Sequence, residues 1–184
     1  MGPPGAGGSS PWLHETLYER RIVLVTGRLD DGVAAHAAAA LMSLDAAGDA
    51  TIEVHVNSPD GTLEAAFVLI DALGMIRAPV RALGRGFVGT PAIGVVAAVG
   101  YRAASPHTRF RLAQPTVRLA GTPDEVDAGR RQHRDLLVRF QAHLARATGR
   151  PVDAIADDMR GGRTLDAAEA LAYGLIDEIS ATSP

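Results

Sequence analysis

Ile52-Glu-Val-His-Val-Asn-Ser-Pro-Asp-Gly61 is the stretch on which the fold turns. Ile52, Val54 and Val56 alternate with Glu53 and His55, the period of a strand with one buried face. Asn57-Ser-Pro-Asp-Gly61 then gathers residues that favour turns, each by its own backbone preference. A helix over about 62–76 follows, with Leu63, Phe67, Ile70 and Leu73 on one face. The same strand, turn and helix order extends in both directions. Upstream, residues 14–20 read as a short helix and Ile22–Val25 as a buried strand ended by Gly27. Asp30 or Asp31 can cap the Ala-rich helix over about 32–47.

Downstream, Val80–Leu83 reads as a strand and Gly84–Pro91 as a Gly-rich loop. Pro91 suits a first helical turn, where its missing N–H costs nothing. Ile93–Val99 is apolar all round, which predicts a buried helix. Residues 109–112 read as a short strand. Thr122-Pro-Asp-Glu125 opens a long polar helix that reaches about Thr148, with a charged stripe from Arg130 to Arg139. Gly149-Arg-Pro151 breaks it. Helices over 151–159 and 166–173 and a last strand over Leu175–Ile179 complete an α/β pattern.

Composition narrows the chemistry. The 184 residues are enough to bury a sizeable core in one domain, and 47% of them are hydrophobic. The formal charge of −3 does not suggest a nucleic-acid partner, whose binders carry basic patches. There is no cysteine, hence no thiolate nucleophile or Cys-ligated metal. All 18 basic residues are arginine, so a Ser–Lys dyad or a lysine Schiff base is impossible. No run approaches the roughly 20 apolar residues that span a bilayer. Residues 1–13 begin with a Gly/Pro/Ser-rich stretch without a signal-peptide core and are expected to form a disordered arm, with one domain over 14–181. A soluble cytoplasmic protein without metal or organic cofactor is the expectation.

Several segments together resemble the proteolytic subunit of the Clp protease. Glu19-Arg-Arg-Ile22 and Gly27-Arg-Leu-Asp-Asp31 are similar to its opening strand and turn, and Asn57-Ser-Pro-Asp-Gly61 to its Asn-Ser-Pro-Gly-Gly turn. Gln114-Pro115 matches the end of its His-Gln-Pro motif. Ala167-Ala-Glu-Ala170 and Tyr173-Gly-Leu-Ile-Asp177 match its closing helix and strand. The resemblance implies the ClpP/crotonase-like α/β fold of stacked β–β–α units. It also implies a projecting handle helix, here about 123–147, that interlocks rings. The Gly-rich strand that lines the family's substrate channel falls on Thr116-Val-Arg-Leu-Ala-Gly121, where its glycines are lost but β-branched residues can still form a strand.

Family members are serine peptidases with a Ser–His–Asp triad. Counting forward from Asn57-Ser-Pro59 puts the nucleophile position at Thr90, and counting back from Gly100 puts it at Pro91; neither is serine. The base position, before Gln114, is Ala113, whose methyl group accepts no proton. His107 is the histidine closest in sequence. The acid position, 13 residues after Gly149, is Gly162, with Asp157 and Asp158 several residues early on a helix as ordinary solvated charges. The family's oxyanion hole uses two backbone N–H groups. Gly61 keeps one. The other falls on Pro91 if Thr90 is the nucleophile position, and proline has no N–H. Losing one such donor costs about 10²–10³ in rate. Asp60, in place of the first glycine of the pair, would set a negative charge beside a developing oxyanion.

The expectation is therefore a catalytically inactive ClpP-like subunit. It would join homo- or hetero-oligomeric rings with ClpP-like subunits, with a Clp ATPase as a candidate partner and a structural or regulatory part in ATP-dependent proteolysis. The alternative is an active peptidase with a rearranged site using Thr90. Acyl-CoA chemistry of the crotonase kind rests on the shared fold alone.

Overall fold

The computed structural model describes residues 11–180, and side chains from residue 15 onward. Residues 1–10 of the expected arm, and residue 181, at which the domain was expected to end, lie outside that range. Helix α1 (Pro11–Glu19) begins three residues before the expected start, and its opening proline has its φ already set for a first turn. Strand β1 (Ile22–Thr26) leads into α2 (Asp31–Ala47), and Asp30 is the residue that caps it, its side chain accepting the N–H of Val33. Strand β2 (Ile52–Ser58) runs two residues into the stretch expected to be a turn, and α3 (Leu63–Met75) follows behind a Thr62 cap.

Strands β1, β2, β3 (Val80–Gly89), β4 (Tyr101–Ala104) and β7 (Glu178–Ile179) lie side by side in that order, all parallel. Strand β5 (Arg109–Arg111) pairs in parallel with the end of β3 and antiparallel with β6 (Thr164–Leu165). The alternation in β2 has a simple cause: Ile52, Val54 and Val56 are buried while Glu53, His55 and Asn57 are not. Helices therefore cover one face of this sheet, unlike the doubly covered parallel sheets whose strands are apolar throughout. The core joins Val23 and Val25, Val54 and Val56, and Ala82 and Val88 to Leu41, Leu69 and Ile93 of the covering helices. Helix α4 (Thr90–Ala97) is buried at all eight positions, as its all-round apolarity predicts.

The expected Gly84–Pro91 loop is instead the second half of β3, through Gly89, followed by the first two residues of α4. Its glycines serve packing. A Cβ on Gly84 would meet the Phe110 ring at 3.1 Å, and Gly86 adopts φ +60 where the β2–β3 register shifts. Strands β4 and β6 are additions to the expected set. The last strand shrinks to Glu178–Ile179: Leu175 and Ile176 are buried by packing rather than by a ladder. The 116–121 segment forms no strand.

Helix α5 (Pro123–Thr148) starts with a full capping box, in which Thr122 and Glu125 satisfy each other's backbone N–H. Leu136, Phe140 and Leu144 anchor its second half, whereas residues 123–135 include no buried position. At 1.5 Å per residue, about 20 Å of helix stands clear of the core. Leu119 leans on this free part, within 2.8 Å of where a Cβ on Gly129 would be. Helices α6 (Val152–Gly161) and α7 (Ala167–Tyr173) close the chain.

Candidate functional site

Strand β3 delivers its end to the Asn57–Gly61 turn. A side chain at Gly89 would run into the Pro59 carbonyl, so only glycine allows this approach. Asn57 Oδ1 accepts the Phe87 N–H at 3.2 Å, and the buried Ser58 hydroxyl donates to the Asp60 carbonyl at 3.2 Å. On the other side Gly61 bridges to Leu29, whose carbonyl would be 2.5 Å from a Cβ at position 61. The Leu29 N–H donates to the Asp60 carbonyl at 2.8 Å. The turn is thus clamped between β3 and the segment before α2.

Thr90 follows directly and is 4% exposed. Its hydroxyl accepts the Ala113 N–H at 2.6 Å. Its single proton has two main-chain acceptors in reach, the carbonyls of Ala113 at 2.6 Å and Arg111 at 2.9 Å. The hydroxyl is committed to the main chain of the segment leaving β5. That segment is itself pinned, with Leu112 N–H on the Arg163 carbonyl (2.8 Å) and Gln114 N–H on the Met159 carbonyl (3.0 Å). Gly162 sits one residue before Arg163, in the left-handed region at φ 70, where it ends α6 and leaves open space around its missing side chain. Thr90 and Ala113 therefore meet by direct hydrogen bonds, and Gly162 joins the same seam through the main-chain bond between its neighbour Arg163 and Leu112.

The ionisable groups nearby have other partners. Asp158 accepts from the Tyr173 hydroxyl at 2.6 Å and from Arg163 at 3.1 Å. Burial alone would raise its pKa, but these two bonds and the arginine charges hold it below the ordinary value. Burial, followed by the hydrogen bond to Asp158, pushes the Tyr173 hydroxyl up. The guanidinium of Arg150 stacks 3.9 Å over the Tyr173 ring. Asp158 is thus a structural anchor rather than the ordinary helix charge expected, a role set by Tyr173, 15 residues away. Asp157 pairs with Arg160 at the surface.

His107 is exposed in a turn closed by Thr108 N–H on the Ser105 carbonyl, at the far end of β5 from Ala113. His55 bonds Glu53 at 3.1 Å, and His143 donates from Nε2 to the Gly94 carbonyl at 2.9 Å.

At the turn, the Gly61 N–H donates to Asp60 Oδ1 at 2.7 Å, and Asp60 Oδ2 pairs with Arg28. Pro91, in the first turn of α4, has no N–H to offer. A cavity of about 620 Å³ lies elsewhere, between α1, β1 and α2, with Tyr18, Ile22, Leu24, Val33, Ala40 and Leu44 in its wall. Sequence reasoning missed it because it depends on how α1 lies on the sheet. Among the described residues no helix is long and apolar enough to cross a membrane, and no cluster of three or more His, Asp or Glu could hold a metal ion.

A largely parallel sheet, a central buried helix behind a clamped Asn-Ser-Pro turn and a long projecting helix define the class. The chain belongs to the Clp protease family, whose profile matches residues 8–183. Among its relatives is ATP-dependent Clp protease proteolytic subunit 2 of Gluconobacter oxydans, 30% identical over 171 residues, which cover 91% of this chain and 77% of that protein. Proteolytic subunit 3 of Rhizobium meliloti is 32% identical over 165 residues, covering 89% and 85% respectively. The proteolytic subunit of Pleurastrum terricola is 28% identical over 176 residues, covering 92% and 88%.

Proposed function

We propose that this chain is a catalytically silent ring subunit. It assembles with ClpP-like subunits, of its own kind or of a competent kind, and has a structural or regulatory part in ATP-dependent proteolysis. The observation that carries the reading is the Thr90 hydroxyl, whose partners are the main-chain groups of Arg111 and Ala113 rather than an imidazole. A serine-type nucleophile needs a base to take its proton, and triad members act as a unit, so an absent base removes most of the rate. In this reading Thr90, Ala113 and Gly162 stand at the triad places, and Gly61 and Pro91 at the oxyanion-donor places.

The projecting half of α5 supports assembly, since about 20 Å of helix without a buried residue gains little by standing free. Co-expression with a catalytically competent Clp proteolytic subunit, followed by native mass measurement, tests this reading. Rings containing both chains, or rings of this chain alone, are expected. A monomer mass under both conditions contradicts the assembly role.

A further inference from the structure

We infer that Asp60 is a built-in carboxylate ligand that keeps the Gly61 amide occupied and so closes this seam to the carbonyl or carboxylate oxygen of a peptide. The inference rests on reading the seam as a vacated peptidase site. The contacts of one short turn support it. The direction of the Gly61 amide is fixed, because Gly61 bridges to Leu29 and has no room for a Cβ beside the Leu29 carbonyl. Asp60's own carbonyl is held by the Leu29 N–H and the Ser58 hydroxyl, so the backbone that carries the carboxylate is fixed too. Oδ1 then takes the Gly61 N–H at 2.7 Å, and Arg28 holds Oδ2.

A charge-assisted bond of this kind is roughly twice as strong as the neutral one a peptide carbonyl would make in its place. The carboxylate is also tethered one residue away. The tether raises its effective concentration at the amide, so an incoming oxygen has to displace it rather than fill a free position. A negatively charged oxygen would in addition meet the Asp60 charge at close range.

Acetate, a minimal carboxylate, is the probe. The chain contains two Asp-Gly pairs, Asp31-Gly32 and Asp60-Gly61. Carbonyl-¹³C aspartate combined with ¹⁵N glycine therefore reduces the amide spectrum to two correlations, and substitution at position 60 assigns the second. In the full-length native protein the Gly61 amide is expected to be insensitive to acetate, with Gly32 as the reference. In Asp60→Gly, with the carbonyl label moved to glycine, it is expected to shift saturably, with a response at least about tenfold larger. Adding Arg28→Gln should weaken that response.

Two results overturn the inference: a native Gly61 that responds as strongly as Asp60→Gly, or a silent Gly61 in Asp60→Gly whose other glycine signals stay native. Should Asp60→Gly fail to fold, Asp60→Asn decides. It keeps an acceptor but loses the charge, and a response above native supports the plug, whereas a native-like one overturns it. Peptide turnover by the native protein with a silent Gly61 would refute the silent-subunit reading and leave the plug standing.

Discussion

Replacing Thr90 by valine separates a structural hydroxyl from a catalytic one. Valine keeps the shape and both branches of the side chain, so no cavity opens, but it deletes Oγ1. The Ala113 N–H, 2.6 Å from that oxygen, then loses its acceptor. A donor left unpaired in this part-buried seam costs about 1–3 kcal/mol. The carbonyls of Ala113 and Arg111 also lose a shared donor, which adds about 1 kcal/mol. The sum is about 2–4 kcal/mol, or a fall in Tm of about 4–16 °C for a domain of this size. Thr90→Ser keeps the hydroxyl and deletes one buried methyl, worth about 1 kcal/mol. The expected order of stability is Thr, then Ser, then Val, with Ala lowest because it adds a cavity. Thermal denaturation at one fixed protein concentration reads it. Thr90→Val as stable as the native protein would refute the staple and reopen the hydroxyl to a catalytic part.

Three other outcomes follow from the packing. Tyr173→Phe removes the 2.6 Å bond to Asp158 while Arg163 still pairs with the carboxylate, so chemical denaturation should show a loss of about 1–2 kcal/mol. Gly94→Ala drives a methyl into the Phe140 ring and should cost about 1–3 kcal/mol, with α5 loosened against α4 in hydrogen exchange. Burial holds the pKa of His143 below its ordinary value of 6.5, against the opposing bond to Gly94. The unfolded chain therefore binds the proton first, and stability should be full above pH 6.5 and decline as pH falls below it. His143→Gln, which can still donate to Gly94, should flatten that decline, leaving the part owed to His55, also lowered chiefly by burial. An unchanged pH profile in the variant would contradict it.

Much of the fold was legible because its signals are local. The alternation around Val54, the Asp30 and Thr122 caps, the buried α4 and the polar α5 each follow from a few neighbouring residues. The Gly84–Gly89 run misled because glycine reads as a loop, whereas here it admits the Phe110 ring and the Pro59 carbonyl between packed strands. Strands β4 and β6 were missed since Arg102 and Thr164 owe their strand conformation to distant partners, β3 and β5.

The candidate site shows the same division. Counting along the chain singled out Thr90 or Pro91, with Ala113 and Gly162, and in the structure Ala113 N–H bonds the Thr90 hydroxyl. What the count could not supply was the use of each group: the Thr90 hydroxyl on main-chain atoms, Asp158 under Tyr173, and the Asp60 carboxylate on Gly61. Those pairings depend on rotamers and on residues brought together only by folding.

Hydrolysis of fluorogenic peptides by the purified chain, alongside Thr90→Ala, is the most direct test of the silent-subunit account. The account predicts no turnover above background for either protein. Turnover by the native chain that disappears in a folded Thr90→Ala variant would contradict it and establish Thr90 as a nucleophile.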